Sequence, residues 1–257
     1  VRENIVKAKL AQGGTSLGTM VFEFNTTGIG RIIAAAGAEF VIYDTEHTGW
    51  GIETVRMLIA TTRAADIVPL VRVPATQYHL LANPLDAGAM GLMIPMVESE
   101  EQAQLIARSV KYPPQGRRGA AFGIAHDDYG LEPGTAIEKM ARANDAVLII
   151  AQIETAAGVD NVEKIAAVPG IDILWIGHND LTNSMNIPGQ FTHPDYLAAV
   201  ERVLAACKAN NKPAGIMSGS VADARAALAQ GFRIVAYNGD LWLYAQALSE
   251  GLKAIRA

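Results

Sequence analysis

The sequence predicts a (β/α)8 barrel of the TIM type, a single α/β domain over residues 1–257. Three observations predict it. Short apolar runs recur eight times along the chain, helical patterns lie between them, and most of the runs are continuous rather than alternating. Continuous apolar strands belong to parallel sheets covered on both faces. Composition agrees, since half the residues are hydrophobic while aromatics make up only 6%. Such a mix suits helix-on-sheet packing better than an aromatic-rich sandwich.

The predicted strands are SLGTMVF (16–22), FVIYD (40–44), IVPLVRV (67–73), MGLMIP (90–95), VLIIAQIE (147–154), IDILWIG (171–177), PAGIMS (213–218) and RIVAYN (233–238). Before the first lies VRENIVKAKLAQGG, an amphipathic helix rather than an apolar signal segment. Between the strands, GIETVRMLIATTRAA, SEEQAQLIARSVKY, GVDNVEKIAAV and SVADARAALAQG carry apolar residues at i, i+3 and i+4, which predicts helices. A doubly wound open sheet is the competing arrangement. It would carry a glycine-rich turn after its first strand, and VFEFNTTGIGRI matches GxGxxG poorly. The spacing breaks once. About 50 residues separate the fourth and fifth runs, including KYPPQGRRGAAFGIAHDDYGLEPGTA, which predicts a long loop insertion at about 111–135 serving as a lid or an oligomer contact.

Several functions are disfavoured. The net charge of −5 has no block of like charges behind it, and no basic patch interleaved with aromatics occurs, so nucleic acid is not expected as a partner. A single cysteine, Cys207, permits no internal disulfide and reads as a core residue. No apolar run reaches the roughly 18 residues that span a bilayer, and a cytoplasmic protein without a membrane partner is expected.

In a barrel the catalytic groups come from the C-terminal ends of several strands. Those positions hold Asp44, Glu46 and His47 after the second strand, Arg72 on the third, Gln152 and Glu154 on the fifth, Asp180 after the sixth, and Met217 and Ser218 on the seventh. Gln152 and Glu154 are two apart and leave the same face of their strand. With Asp180 on the neighbouring strand, two carboxylates without cysteine form a hard-oxygen site suited to Mg²⁺ or Mn²⁺, with positions left for water and substrate oxygens. The alternative pairs Glu154 with an arginine and uses Asp180 as a helix cap. Arg72, among apolar neighbours, either pairs with Glu46 or faces a carboxylate or developing oxyanion. His47 has carboxylates beside it at a strand end, which makes it the natural general base. His178 is expected to line the pocket. His126, beside Asp127 and Asp128, belongs to the insertion. No lysine stands at the C-terminal end of a strand, which disfavours Schiff-base chemistry and leaves electrophilic help to a metal.

Taken together, YDTEH, VRVP, LDAGAMGLMIPMVES, YPPQGRRG, QIETAAGVDNVEKI and IGHNDL resemble the HpcH/HpaI class II pyruvate aldolases, whose relatives include the 2-dehydro-3-deoxyglucarate aldolases and macrophomate synthase. The resemblance runs from about residue 5 to about residue 250. It implies a (β/α)8 barrel assembled as a homo-hexamer, with active sites near subunit interfaces. The activity implied is that of a metal-dependent carbon–carbon lyase. Such an enzyme forms the enolate of pyruvate or a related 2-oxo acid and adds it reversibly to an aldehyde, cleaving 4-hydroxy-2-oxo acids in reverse. Glu154 and Asp180 would hold the divalent ion, Mg²⁺ or Mn²⁺ foremost, with Co²⁺ or Zn²⁺ also compatible. His47 would be the base, with Asp44 orienting it, and Arg72 would stabilise the enolate oxygen and the aldol alkoxide. Gln152 would contact the 2-oxo acid, the backbone at Gly177, His178 and Asn179 would hold its carboxylate, and Asp86 would lie near a subunit contact.

The chain departs from that pattern in two places. GHNDLTNS stands where the family often has a GPADLS loop, and GAAFGIAHDDYG, with His126, Asp127, Asp128 and Tyr129, is atypical. Both regions would face the aldehyde or a neighbouring subunit, so the departures bear on the choice of acceptor rather than on the enolising core. Two rival readings remain open at this point. One is a citrate-lyase-like lyase of acyl-CoA esters, for which Arg117 and Arg118 are the adjacent cations; the other is a non-catalytic barrel that binds 2-oxo acids.

Overall fold

All eight strands form within one or two residues of the expected bounds. In the computed structural model, which describes residues 1–130 and 133–257, the chain runs α1 (Ile5–Ala11), β1 (Ser16–Val21), α2 (Ile29–Ala35), β2 (Phe40–Asp44), α3 (Ile52–Arg63), β3 (Val68–Arg72), α4 (Tyr78–Asp86) and β4 (Gly91–Ile94). It continues through α5 (Glu100–Val110), α6 (Ala136–Ala146), β5 (Leu148–Ile153), α7 (Ala156–Asp160), α8 (Val162–Ala167), β6 (Ile173–Ile176) and α9 (His178–Ser184). The last elements are α10 (Pro194–Ala209), β7 (Ala214–Ser218), α11 (Val221–Gln230), β8 (Ile234–Gly239) and α12 (Asp240–Arg256). Among the described residues the eight strands close into one barrel in sequence order, every pairing parallel, with β1 meeting β8. The (β/α)8 fold class therefore holds.

Period-two alternation decides which residues enter the barrel. Phe40 and Ile42 on β2, Leu70 on β3, Met93 on β4, Ile150 on β5 and Trp175 on β6 pack together in the interior. Their alternates Val71, Leu92, Ile149 and Leu174 face the surrounding helices in a second, larger cluster. Large and small residues interlock within the barrel. At Gly215 a Cβ would overlap the Trp175 ring, so the indole occupies the volume a side chain on β7 would need. Continuing the inward parity to the strand ends brings Asp44, Arg72, Gln152 and Glu154 to the rim of one mouth.

At the opposite mouth α1 seals the barrel with Val6 and Leu10. Its N-cap Asn4 donates to the Met90 and Ala146 carbonyls at 3.0 and 3.1 Å. Lys111 is buried at this end, donating to the Asn144 carbonyl, and burial pushes its ammonium down to about 8. A depressed lysine is what Schiff-base chemistry needs, yet this one sits at the end away from the catalytic mouth.

Residues 111–135 separate α5 from α6 and carry a 3-10 turn over Ala125–Asp127; residues 131 and 132 of the expected insertion lie outside the described residues. His126 is buried, with Nε2 2.5 Å from the Ala121 carbonyl oxygen. Asp128 pairs with Arg63 of α3 at 2.7 Å, and Asp127 accepts from the Gly123 N–H at 2.7 Å. These three groups fasten the segment to itself and to the helical shell. Asp86 also finds its partner within the chain, Arg118 at 2.5 Å.

Candidate active site

Asp44 and Arg72 are register partners at the ends of β2 and β3. Arg72 Nε donates to Asp44 Oδ1 at 2.5 Å, and Asp44 also accepts the backbone N–H of Glu46 at 3.2 Å and of His47 at 2.9 Å. One buried carboxylate thus fixes both the guanidinium and the turn that carries Glu46 and His47. Contact between Asp44 and His47 runs through the main chain; the imidazole instead faces Glu46, with Nε2 3.7 Å from Oε2. Glu46 Oε2 is also 3.2 Å from Arg72 Nη1, a charge contact without hydrogen-bond geometry. Burial pushes the Glu46 carboxyl above its usual range; Arg72 and His47 pull it back, and Asp44 and Asp180 add to the rise.

Arg72 is further braced by the Phe22 ring, 5.7 Å from its guanidinium carbon, and Phe22 packs edge-on against Trp242 at 5.0 Å. Phe22 is itself held by Asp240, whose carboxylate accepts the N–H groups of residues 22, 23 and 24 at 2.6 to 3.0 Å.

On β5, Glu154 is only 2% exposed. Oε1 accepts the Met96 N–H at 2.7 Å, and Oε2 accepts from the Gln152 amide. Burial is the main reason its carboxyl is pushed up to about 7, with Glu46 and Asp180 adding repulsion and the Met96 and Gln152 donors opposing. Gly177 closes over this pair: a Cβ there would overlap the Glu154 carboxylate. The chain then turns into α9 with Asp180 in its first turn. His178 stacks edge-on against Phe191 at 5.3 Å, and burial holds its imidazole below the usual histidine value.

These elements surround one cavity of about 140 Å³ whose lining includes His47, Arg72, Gln152, Gly177, His178, Asn179 and Asp180. The structure therefore brings every expected site residue to the same mouth, with Asp44 beneath Arg72 and Glu154 against Gln152 and Gly177. Glu46, expected both as a carboxylate beside His47 and as a partner for Arg72, lies near each of them. Phe22, Trp242 and the Met96 N–H were not expected in the site, although each stands just beyond the C-terminal end of its strand, which was the available signal.

The residues fit a divalent cation. Among the described residues no three His, Cys, Asp or Glu side chains gather as a closed metal cage, so an ion here would rest on two carboxylates and otherwise on water and substrate oxygens. Glu46, Glu154 and Asp180 repel one another, and Gln152 Oε1 is buried with no hydrogen-bond partner among the described residues. Mutually repelling carboxylates beside an orphaned carbonyl are a donor set that a hard cation neutralises.

A closed parallel barrel with an arginine, an imidazole and buried carboxylates at the C-terminal ends of its strands is the arrangement of a TIM-barrel enzyme, whose catalytic groups stand at that end. The chain belongs to the HpcH/HpaI aldolase/citrate lyase family, whose pattern matches residues 4–247. It is similar to the 5-keto-4-deoxy-D-glucarate aldolase of Salmonella arizonae, 33% identical over 214 residues covering 83% of this chain and 82% of the relative. In structure it resembles an HpcH/HpaI aldolase/citrate lyase family protein of Burkholderia cenocepacia, with TM-score 0.92, 32% identity, and coverage of 99% of this chain and 100% of that one. Macrophomate synthase is also similar, with TM-score 0.85, 29% identity, and coverage of 98% and 87%. The chain is accordingly an aldolase, a carbon–carbon lyase.

Proposed function

We propose that the protein removes a proton from the methyl group of pyruvate, or the equivalent carbon of a related 2-oxo acid, adds the enolate to an aldehyde, and cleaves 4-hydroxy-2-oxo acids in reverse. The observation that carries this reading is the convergence of Arg72, His47 and Asp180 on one small cavity, with Glu154 held against Gln152 and Gly177 of its wall. A divalent ion held by Glu154 and Asp180, Mg²⁺ or Mn²⁺ foremost and Co²⁺ or Zn²⁺ next, would supply Lewis-acid stabilisation of the developing enolate.

The protein's own groups do the rest. Gln152 and the backbone from Gly177 to Asn179 receive the 2-oxo acid, with His178 beside its carboxylate end. As the methyl C–H bond breaks, the proton passes to the His47 imidazole and the electron pair enters the enolate; Glu46 offsets the charge that His47 acquires. Arg72 brings a permanent charge whose direction is set by Asp44, so it stabilises the enolate oxygen without reorganising. When the enolate carbon attacks the aldehyde, the carbonyl π pair moves onto its oxygen, the same guanidinium faces the new alkoxide, and the proton held by His47 passes to it, which returns the imidazole to its neutral form.

The acyl-CoA alternative loses its supporting feature, because Arg118 is buried between Asp86 and the Tyr112 ring, 4.7 Å away. The sensor alternative has no use for a base, and the base is retained. Oxaloacetate decarboxylation through the same enolate is expected as a side activity.

For assembly we propose a homo-hexamer with active sites near subunit interfaces. What supports self-association is α12, which leaves Tyr244, Leu248, Leu252 and Ile255 exposed along one face, while Trp242 at its start lines the cavity. Sedimentation velocity reads the assembly directly.

The deciding experiment for the chemistry needs no aldehyde. The methyl proton signal of pyruvate is followed by NMR in D₂O with Mg²⁺ and again with a chelator. Metal-dependent loss of that signal supports the reading; a folded protein that exchanges nothing with any divalent ion overturns it for pyruvate and favours a different 2-oxo acid, the acyl-CoA reading or the sensor.

A further inference from the structure

We propose that Gln102, which touches neither the cavity nor either carboxylate of the Glu154–Asp180 pair, is a positioning residue that aims Glu154 through the main chain of Met96. The inference rests on the reading of Glu154 as a metal ligand.

Met96 follows β4 in a left-handed backbone conformation, φ +52°. For a residue with a Cβ this conformation is strained, and the side chain recovers little by packing, being 48% exposed. Something outside the residue must therefore hold the turn. Its consequence is functional: in this conformation the Met96 N–H points at Glu154 Oε1, 2.7 Å away, leaving Oε2 to Gln152.

Gln102 supplies the hold. Its Nε2 donates to the Met96 carbonyl at 3.0 Å and to Thr76 Oγ1 at 3.0 Å, while its Oε1 accepts the Glu98 N–H at 2.9 Å. One amide thus clamps both ends of the Met96–Glu98 turn and ties it to the loop after β3. Two bonds finish the enclosure: Val97 N–H to the Gln152 carbonyl at 3.1 Å, and Asn161 Nδ2 to the Glu98 carbonyl at 2.9 Å.

Helix capping does not account for these contacts. Ser99 is the N-cap of α5 and its hydroxyl accepts the Gln102 N–H at 3.1 Å. A capping box would return the Gln102 side chain to the Ser99 N–H. Here the side chain passes the cap and reaches Glu98 and Met96.

The test is Mn²⁺ binding, read by the loss of the free-ion EPR signal on titration. Gln102→Ala should weaken the Mn²⁺ dissociation constant about tenfold, the lower end for partners that orient a metal ligand. Gln102→Glu, which keeps the acceptor for Glu98 but sets a carboxylate against the Met96 carbonyl, should weaken it similarly and covers the case in which the alanine variant fails to fold. Adding Met96→Gly to Gln102→Ala should restore most of the affinity, because glycine enters the left-handed region freely. A merely structural glutamine would lower the melting temperature, leave Mn²⁺ affinity alone and gain nothing from Met96→Gly. Folded Gln102 variants with wild-type Mn²⁺ affinity overturn this inference if Glu154→Gln has lost the ion. Wild-type affinity in Glu154→Gln itself overturns the metal reading and this inference with it.

Discussion

Asp44 and Arg72 meet at the ends of neighbouring strands, with Nε 2.5 Å from Oδ1 and the carboxylate wholly out of solvent. The same carboxylate holds the Glu46–His47 turn through two backbone N–H groups, so acid, base and cation are set by one side chain.

Replacing Asp44 therefore disturbs more than a charge. Asp44→Ala should destabilise the fold by about 3 kcal/mol, the lower end for removing one partner of a buried pair, since Arg72 keeps Glu46 as a second neighbour. Aldol cleavage should fall at least about 100-fold in the same variant, because Arg72 loses its direction. Urea unfolding and steady-state kinetics read the two effects separately. Arg72→Lys should fold well yet remain slow, since an ammonium lacks the planar fork.

Glu154 makes the metal-free protein sensitive to pH. Its carboxyl rises from 4.5 to about 7 in the folded state, so between those values the folded chain binds more protons than the unfolded one. Metal-free stability should thus fall as pH rises from about 4.5 to about 7 and stay low above it, by on the order of 3 kcal/mol in all. Melting curves in chelator at pH 5.5 and pH 8 measure the difference. Glu154→Gln should flatten the dependence and be the more stable protein at pH 8 without metal. Adding Mg²⁺ at pH 8 should raise the wild-type melting temperature and leave Glu154→Gln unmoved; a shift of equal size in both would remove Glu154 from the site.

His47 and Glu46 should separate in kinetics. His47→Ala should slow metal-dependent deuterium exchange into pyruvate by about 10²- to 10⁴-fold while pyruvate still binds. Glu46→Gln should slow it less, since it keeps the base and removes the charge opposite it. An unchanged exchange rate in His47→Ala would assign the base elsewhere.

Gly177→Ala tests the closeness of α9 to β5. The added methyl would overlap Glu154 and lie 2.7 Å from Gln152 Nε2, so the two strand-end side chains must move or the turn must open. Metal affinity should drop by about tenfold or more. Gly219→Ala, with open space around its Cβ position, serves as the control and should bind metal normally.

Much of this was legible along the chain because it depends on local period. The inward parity of Asp44, Arg72, Gln152 and Glu154 follows from counting by two along runs such as FVIYD and VLIIAQIE, and a parallel barrel turns that parity into a shared mouth. The burial of Cys207 and the helical reading of α1 are local in the same sense.

By itself, then, the sequence determined the eight strands, their order, and which chemistry-bearing residues stand at the catalytic rim. Tertiary structure alone decided how those residues address one another. His47 turns its ring to Glu46 while Asp44 takes its N–H, Glu154 takes its donor from a strained Met96, and Arg118 turns away to Asp86. Such pairings join loops far apart in sequence, and their outcome depends on backbone dihedrals and desolvation that no residue pattern encodes.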